Sequence, residues 1–190
     1  MFKSRIPLQT PISVKLLLSS VLITFLIGWS FSNEASSKEF SQQKNTIVTK
    51  TELKNHHTNK KLAQIAKLTH QKVNKYRGSL GLTPLKFNAS IAKQAKIHST
   101  KMAQQKVEFS HKGFQGRLKA LEDTIDYRSA AENVAYNMGY KNPAEKVVKG
   151  WIKSDGHRKN MEGDYNLTGI GVAVNPDGEY YFTQIFILEN

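Results

Sequence analysis

From Leu62 onward, apolar residues recur at helical spacings. Leu62, Ile65, Ala66, Val73 and Tyr76 predict one amphipathic helix, which Gly78 and Gly81 bring to an end. Asn74 and Arg77 lie three positions apart and so share a face of it. Asn88 stands where an N-cap belongs, ahead of Ile91, Ala95, His98 and Met102, which form one stripe of a second helix. A histidine in such a stripe is expected in the core rather than as a ligand. Past Val107 the pattern loosens into a loop through Phe109-Ser110-His111-Lys112-Gly113, with one or two helical turns expected from Gly116 to Leu121. A third helix is predicted after Asn142. Pro143 takes its first position, Glu145 suits the positive end of its dipole, and Ala144, Val147, Val148 and Trp151 make its buried face. Its end is expected at Asp155-Gly156, which sets His157 just beyond a helix C-terminus, where the dipole favours an imidazolium.

Residues 167–190 read as a hairpin. Leu167 to Val174 and Tyr180 to Leu188 are rich in β-branched and aromatic residues, and Asn175-Pro176-Asp177-Gly178 joins them as a turn. Their incomplete alternation fits a sheet covered by helices on both faces. Thr183 and Gln184 interrupt the apolar run, either as a satisfied buried hydrogen bond or as part of a cleft wall.

Upstream the pattern changes twice. Residues 33–62 are rich in Ser, Asn, Gln, Lys and Thr without sustained periodicity, and carry too little apolar surface to offset the entropy of ordering. A flexible polar linker is expected there, with His56 and His57 solvated. In residues 1–32, Lys3, Arg5 and Lys15 precede an uncharged run from Leu16 to Phe31, the layout of a signal peptide. An N-terminal membrane anchor is the alternative, although this 16-residue run is shorter than the ~20 residues of a membrane span. The expected division is therefore leader 1–32, linker 33–62 and one globular domain over 63–190.

The absence of cysteine excludes disulfides, thiol chemistry and a cysteine-linked lipid anchor, so the core alone must hold the domain. The chain is strongly basic, at +13, but the excess is dispersed. Residues 63–190 hold 19 basic and 12 acidic residues, a net +7 without a dense cluster. Such a surface tolerates anionic partners, including lipid headgroups and phosphate-bearing wall polymers. It lacks the aromatic words and zinc-finger spacings of nucleic-acid readers, so nucleic acid is not an expected partner.

Candidate chemistry gathers on three residues: His111 in Phe-Ser-His, Glu132 in Ala-Glu-Asn-Val-Ala, and His157 in Ser-Asp-Gly-His-Arg. Two imidazoles and a carboxylate have the ligand count of an open zinc site, with a fourth position left for water or substrate. Their separations, 21 and 25 residues, do not form a compact local zinc pattern, so the site depends on convergence in space. If metal-free, His157 or His111 could act as a general base oriented by Glu132. If metal-assisted, a bound water would be activated and Asp155 is the nearby carboxylate able to take its proton. No serine or cysteine lies in a recognisable nucleophile elbow.

Seven short words follow one another in order: Val73-Asn74-Lys75-Tyr76-Arg77, Gly81-Leu82-Thr83-Pro84-Leu85, Phe109-Ser110-His111, Ala131-Glu132-Asn133-Val134-Ala135, Trp151 to Asn160, Gly169-Ile170-Gly171-Val172-Ala173 and Tyr181 to Phe186. Together they resemble the CAP superfamily, or SCP domain, in its short cysteine-free bacterial form, over about residues 63–190. The resemblance implies an α+β fold, a three-layer α-β-α sandwich with a mainly antiparallel sheet. It also implies a cleft in which a His/Glu tetrad can hold zinc or another divalent cation. His111 and Glu132 match two tetrad positions. Ser154 and Tyr181 stand where better-studied members carry the second glutamate and second histidine, and His157 belongs to the Gly-His-Arg word of bacterial members. The cleft is expected to be lined also by Asn74, Arg77, Ser154, Tyr181 and Gln184, with Asn74 and Arg77 anchoring neighbouring loops. The implied function is binding of an extracytoplasmic ligand, such as lipid, wall polymer or host molecule, by an exported or envelope-tethered protein. The alternative is a divalent-metal-assisted peptidase or esterase using the same cleft, and a purely structural domain is the third reading.

Overall fold

The structure, a computed structural model, describes residues 33–190, so the expected leader lies outside the described residues. The chain divides into two units, Met1–Asn45 and Thr46–Asn190. The described part of the first is helical backbone from Asn33. The second carries the domain.

Helix α1 spans Asn33–Ser79. Residues 33–62, expected as a flexible linker, are thus its N-terminal part. Neither Gly nor Pro occurs between Asn33 and Arg77, so nothing local stops helix propagation through this polar stretch. Val48 and Leu53 are exposed, and Leu62 and Ile65 are the first buried apolar residues among those described. The periodicity that begins at Leu62 marks the start of packing rather than the start of the helix.

Strand β1 (Lys86–Phe87) leads into α2 (Ala89–Ala103), whose N-cap Asn88 accepts from the Ile91 amide at 3.1 Å. Ile91, Ala95, His98 and Met102 are buried, as the stripe predicts. Helix α3 (Phe114–Lys119) and strand β2 (Tyr127–Asn137) follow. Helix α4 (Pro143–Lys153) begins with Asn142 accepting from the Glu145 amide at 3.2 Å, and it buries Ala144, Val147, Val148 and Trp151. Helix α5 (Asp155–Glu162) precedes the hairpin of β3 (Leu167–Val174) and β4 (Tyr180–Glu189).

The sheet order is β1-β3-β4-β2. β4 pairs antiparallel with both β3 and β2, while β1 pairs parallel with the start of β3, so the sheet is mixed rather than mainly antiparallel. On one face, Leu62, Ile65 and Val73 of α1 pack with Val147, Val148 and Trp151 of α4, Met161 of α5, and Ile170, Val172, Phe182 and Phe186 of the sheet. On the other, Ile91 and Ala95 of α2 and Leu118 of α3 pack on Leu167, Ile185 and Ile187. This is the expected three-layer sandwich. Glycine lets α2 sit directly on β3, because a Cβ at Gly169 or Gly171 would lie 2.1 Å from the backbone nitrogen of Ala92 or Lys96.

Two α1 side chains staple loops to this frame. Asn74 Nδ2 donates to the Leu85 carbonyl at 3.0 Å, and its Oδ1 accepts from the Leu85 amide at 2.9 Å. Buried Arg77 donates to the carbonyls of Thr83, Met161 and Gly163.

Candidate functional site

The site forms on the outer edge of β2, where the α4/α5 layer meets the loop between α2 and α3. As an edge strand, β2 has main-chain carbonyls with no strand partner. The Glu132 carbonyl accepts from Asn160 Nδ2 at 3.2 Å and the Val134 carbonyl from Trp151 Nε1 at 3.5 Å. Asn133 Nδ2 in turn donates to the His157 carbonyl at 3.0 Å and so holds α5 against the strand.

The Glu132 side chain turns to the opposite face, where it is 1% exposed. A carboxylate so buried needs compensation, and Arg117 of α3, 9% exposed, supplies it in a two-pronged pair: Nη2 to Oε1 at 2.7 Å and Nε to Oε2 at 2.8 Å. The same guanidinium donates to the carbonyls of Lys112 and His111, fixing the loop that carries His111. His111 Nδ1 lies 2.9 Å from Glu132 Oε1. An ionised carboxylate only accepts, so Nδ1 of this half-exposed ring carries the hydrogen, and neither His111 nor Glu132 is among the residues that wall the two neighbouring clefts. Sequence reasoning placed His111 and Glu132 together and missed Arg117. The discoverable signal was the acid itself, since a glutamate buried among Ala131, Val134 and Ala135 requires a cation from elsewhere in the chain.

His157 corrects the expected placement. It lies in the first turn of α5, not beyond a helix C-terminus. Ser154 ends α4 in extended backbone (φ −102, ψ 118) and opens α5 at once. The dipole at a helix N-terminus disfavours an imidazolium. Burial is the main cause holding the His157 pKa below its ordinary value, nearby His111 adds to the lowering, and the Val134 carbonyl, accepting from the ring, partly opposes it. Ser154 Oγ lies 2.8 Å from His157 Nδ1.

Phe109 separates two clefts. One, of about 310 Å3, is walled by Phe109, Val134, Tyr136, Trp151, Ser154 and His157. The other, of about 550 Å3, is bounded by Met102, Lys106, Phe109, Lys112 and Tyr181. Phe109 meets Tyr136 edge-on with centroids 5.2 Å apart, and Tyr136 stacks on Tyr181 at 5.9 Å, making a continuous aromatic ridge. Of the expected lining residues, Ser154 and Tyr181 border these clefts. Asn74 and Arg77 anchor loops away from them, and Gln184 is fully buried in the core, donating to Thr168 Oγ1 at 3.1 Å. His98 is a core histidine, 2.9 Å from the Ser110 carbonyl through Nε2, with its pKa lowered chiefly by burial. A larger concavity than these two lies elsewhere. It is an apolar groove of about 670 Å3 between α1, α2 and the free edge of β3. Its polar lining is Lys67, His70, Lys93 and Lys96, of which Lys96 donates to the Val172 carbonyl and His70 Nε2 lies 2.9 Å from the Leu85 carbonyl, and it holds no carboxylate.

The residues do not fit the three-ligand zinc site. Both Glu132 oxygens are already engaged by Arg117 and His111, which leaves two imidazoles as donors. Among the described residues no group of three His, Cys, Asp or Glu is arranged to hold a metal ion. Asp155, the candidate base beside such a metal, is exposed and pairs with Arg158 at 2.9 Å.

Comparison with known proteins agrees with this architecture. The uncharacterized protein YkwD of Bacillus subtilis (strain 168) is 37% identical over 117 residues, covering 60% of this chain and 43% of its own length. The uncharacterized membrane protein YlbC of the same organism is 40% identical over 111 residues, covering 56% of this chain and 30% of its own. The chain thus spans less than half the length of these relatives. A solved extracellular protein containing an SCP domain, from Bacillus anthracis str. Ames, superposes with a TM-score of 0.51 at 28% identity, covering 69% of this chain and 41% of that one. The model of the CAP family, the cysteine-rich secretory protein family, matches residues 70–186, and the chain belongs to that family.

Proposed function

We propose that this protein is an exported or envelope-tethered binding module whose clefts along the β2 edge take an extracytoplasmic ligand. The observation that carries this reading is the Arg117-Glu132-His111 cluster. A buried ion pair holds one imidazole in a single tautomer, two residues along the chain from Phe109 of the ridge that Phe109 forms with Tyr136 and Tyr181. A pre-oriented polar atom next to exposed aromatic surface is the make-up of a recognition site. It lets a ligand hydrogen-bond at little ordering cost. The extracellular description of the Bacillus anthracis relative supports export. No helix among the described residues is long and apolar enough to cross a membrane. The basic surface, with Lys106 and Lys112 bordering one cleft, favours an anionic wall polymer or lipid headgroup over a neutral partner.

Equilibrium binding of the full chain to purified wall polymer, to vesicles containing anionic lipid and to neutral vesicles tests the reading. Binding to one anionic class, weakened at least about tenfold in His111→Ala and Tyr136→Ala, is the expected result. A folded protein that binds none of the three would overturn it.

A further inference from the structure

Ser154 and His157 have a geometry that the binding reading does not use. Ser154 is the residue between α4 and α5, in the N-cap position of α5, yet its side chain makes no capping hydrogen bond. Serine ordinarily takes an N2 or N3 amide in that position. Here Oγ turns to His157 Nδ1 at 2.8 Å instead, and both residues border the 310 Å3 cleft. With the serine hydroxyl donating to Nδ1, the ring hydrogen belongs on Nε2. Nδ1 then offers a lone pair to the Ser154 hydroxyl. This is the relation of nucleophile and base that activates a serine. The first-turn N–H groups of α5 are free of a side-chain cap, so donors for an oxyanion follow directly after Ser154.

We propose that Ser154 is an acyl-accepting nucleophile, with His157 as its general base. The substrate class is a carboxylic ester. Val134, Tyr136 and Trp151 wall the cleft and suit an apolar acyl chain or aromatic flank. In the first step the Ser154 hydroxyl proton passes to His157 Nδ1 as Oγ bonds to the ester carbon. The tetrahedral oxyanion then collapses, the ester C–O bond breaks, and Nδ1 returns its proton to the departing alkoxide as alcohol. In the second, Nδ1 takes a proton from water, the resulting hydroxide attacks the acyl-serine, and acid leaves as Ser154 regains its proton. No metal and no oxidant or reductant enters either step.

The proposal rests on the β2-edge cleft being where the ligand lies, and its test separates the two. The full chain is treated with an alkyl fluorophosphonate, which phosphonylates activated serines, and the adduct is located by intact mass and peptide mapping. Turnover of p-nitrophenyl butyrate is followed in parallel. A single adduct on Ser154 is expected, with exposed Ser79 unlabelled. Labelling should fall roughly 100-fold in His157→Gln and vanish in Ser154→Ala, each variant being accepted only with a wild-type melting temperature. Mapping of the wild type needs no variant, so a misfolded mutant does not shelter the idea. Absence of a Ser154 adduct on folded protein, or labelling indifferent to His157→Gln, would overturn the proposal. If wall or vesicle binding persists in that case, the binding reading stands without it. An adduct on Ser154 in a protein that binds none of those surfaces supports the nucleophile and removes the binding reading.

Discussion

Replacing Arg117 by Met should be among the most damaging single changes in this domain. The guanidinium is 9% exposed and neutralises a carboxylate that is 1% exposed. Methionine preserves the volume and withdraws the charge, which strands Glu132 with His111 as its remaining partner. Breaking a buried pair from one side costs about 3–5 kcal/mol. For a chain of this length that corresponds to a fall in melting temperature of roughly 6–20 °C. Replacing both partners with apolar residues removes the stranded charge, so Arg117→Met with Glu132→Leu should recover much of the loss. The coupling between the two sites should then be at least about 2 kcal/mol. Urea unfolding of wild type, both single variants and the double variant measures this directly. Arg117→Met costing less than about 1 kcal/mol, or a double variant whose loss equals the sum of the singles, would show that the pair behaves like a solvated surface contact and that the reasoning from burial is wrong.

Acid should weaken the fold by a separate route. His98 and His157 both have folded pKa values below the ordinary 6.5, chiefly through burial. The unfolded chain therefore binds more protons over that interval, so the stability these residues contribute is present above about pH 6.5 and is lost as pH falls below it. Urea midpoints measured from pH 8 to pH 5 should be level and then decline, and a flat profile would contradict the assignment. Gly171→Ala forces a Cβ to within 2.1 Å of the Lys96 nitrogen. Helix α2 must then shift off β3, and a loss of about 1–3 kcal/mol or more is expected by calorimetry. Asn74→Ala leaves the Leu85 amide without its side-chain partner and the Leu85 carbonyl with His70 Nε2 alone. It should cost about 1–3 kcal/mol, with no effect on cleft binding in the vesicle and wall-polymer assay, because Asn74 lies outside the clefts.

What the sequence revealed follows from how local each signal is. The buried stripes of α2 and α4 and their caps Asn88 and Asn142 are governed by neighbours within one or two turns, and they read correctly from residue types alone. Strand β2 received no assignment, since Glu132, Asn133 and Asn137 interrupt its apolar pattern. Those polar residues are buried because Arg117, Asn160 and the carbonyls of Pro143 and His157 meet them from distant segments. A strand whose polar groups are satisfied by other elements does not show the alternation by which strands are recognised. The end of α1 held a different difficulty. Its polar N-terminal part lacks a buried face, and absence of a face was read as absence of helix, although no breaker precedes Gly78.

The cleft shows the same division between residue type and geometry. Two histidines and a glutamate were singled out from the sequence, and His111 meets Glu132 at one edge of the sheet, but ligand count does not distinguish a metal site from a hydrogen-bonded network. The distinction lies in what the carboxylate already accepts, and Arg117, 15 residues before Glu132 in the chain, decides it. Ser154 makes the point more sharply. Read along the chain, Ser-Asp-Gly after a helix signals a stop, and that reading sends His157 into a loop. The chain instead ends α4 and starts α5 on the same residue, since serine suits an N-cap and Asp155 suits the first turn that follows. That immediate restart fixes the spacing of Ser154 and His157 at three residues on a new helix, near enough for hydroxyl and imidazole to meet. Val134, which walls the same cleft as the ring, comes from the free edge of β2. A nucleophile assembled from a helix junction and a strand edge leaves no elbow motif along the chain, and its constituents become visible together only once α5 is docked on β2.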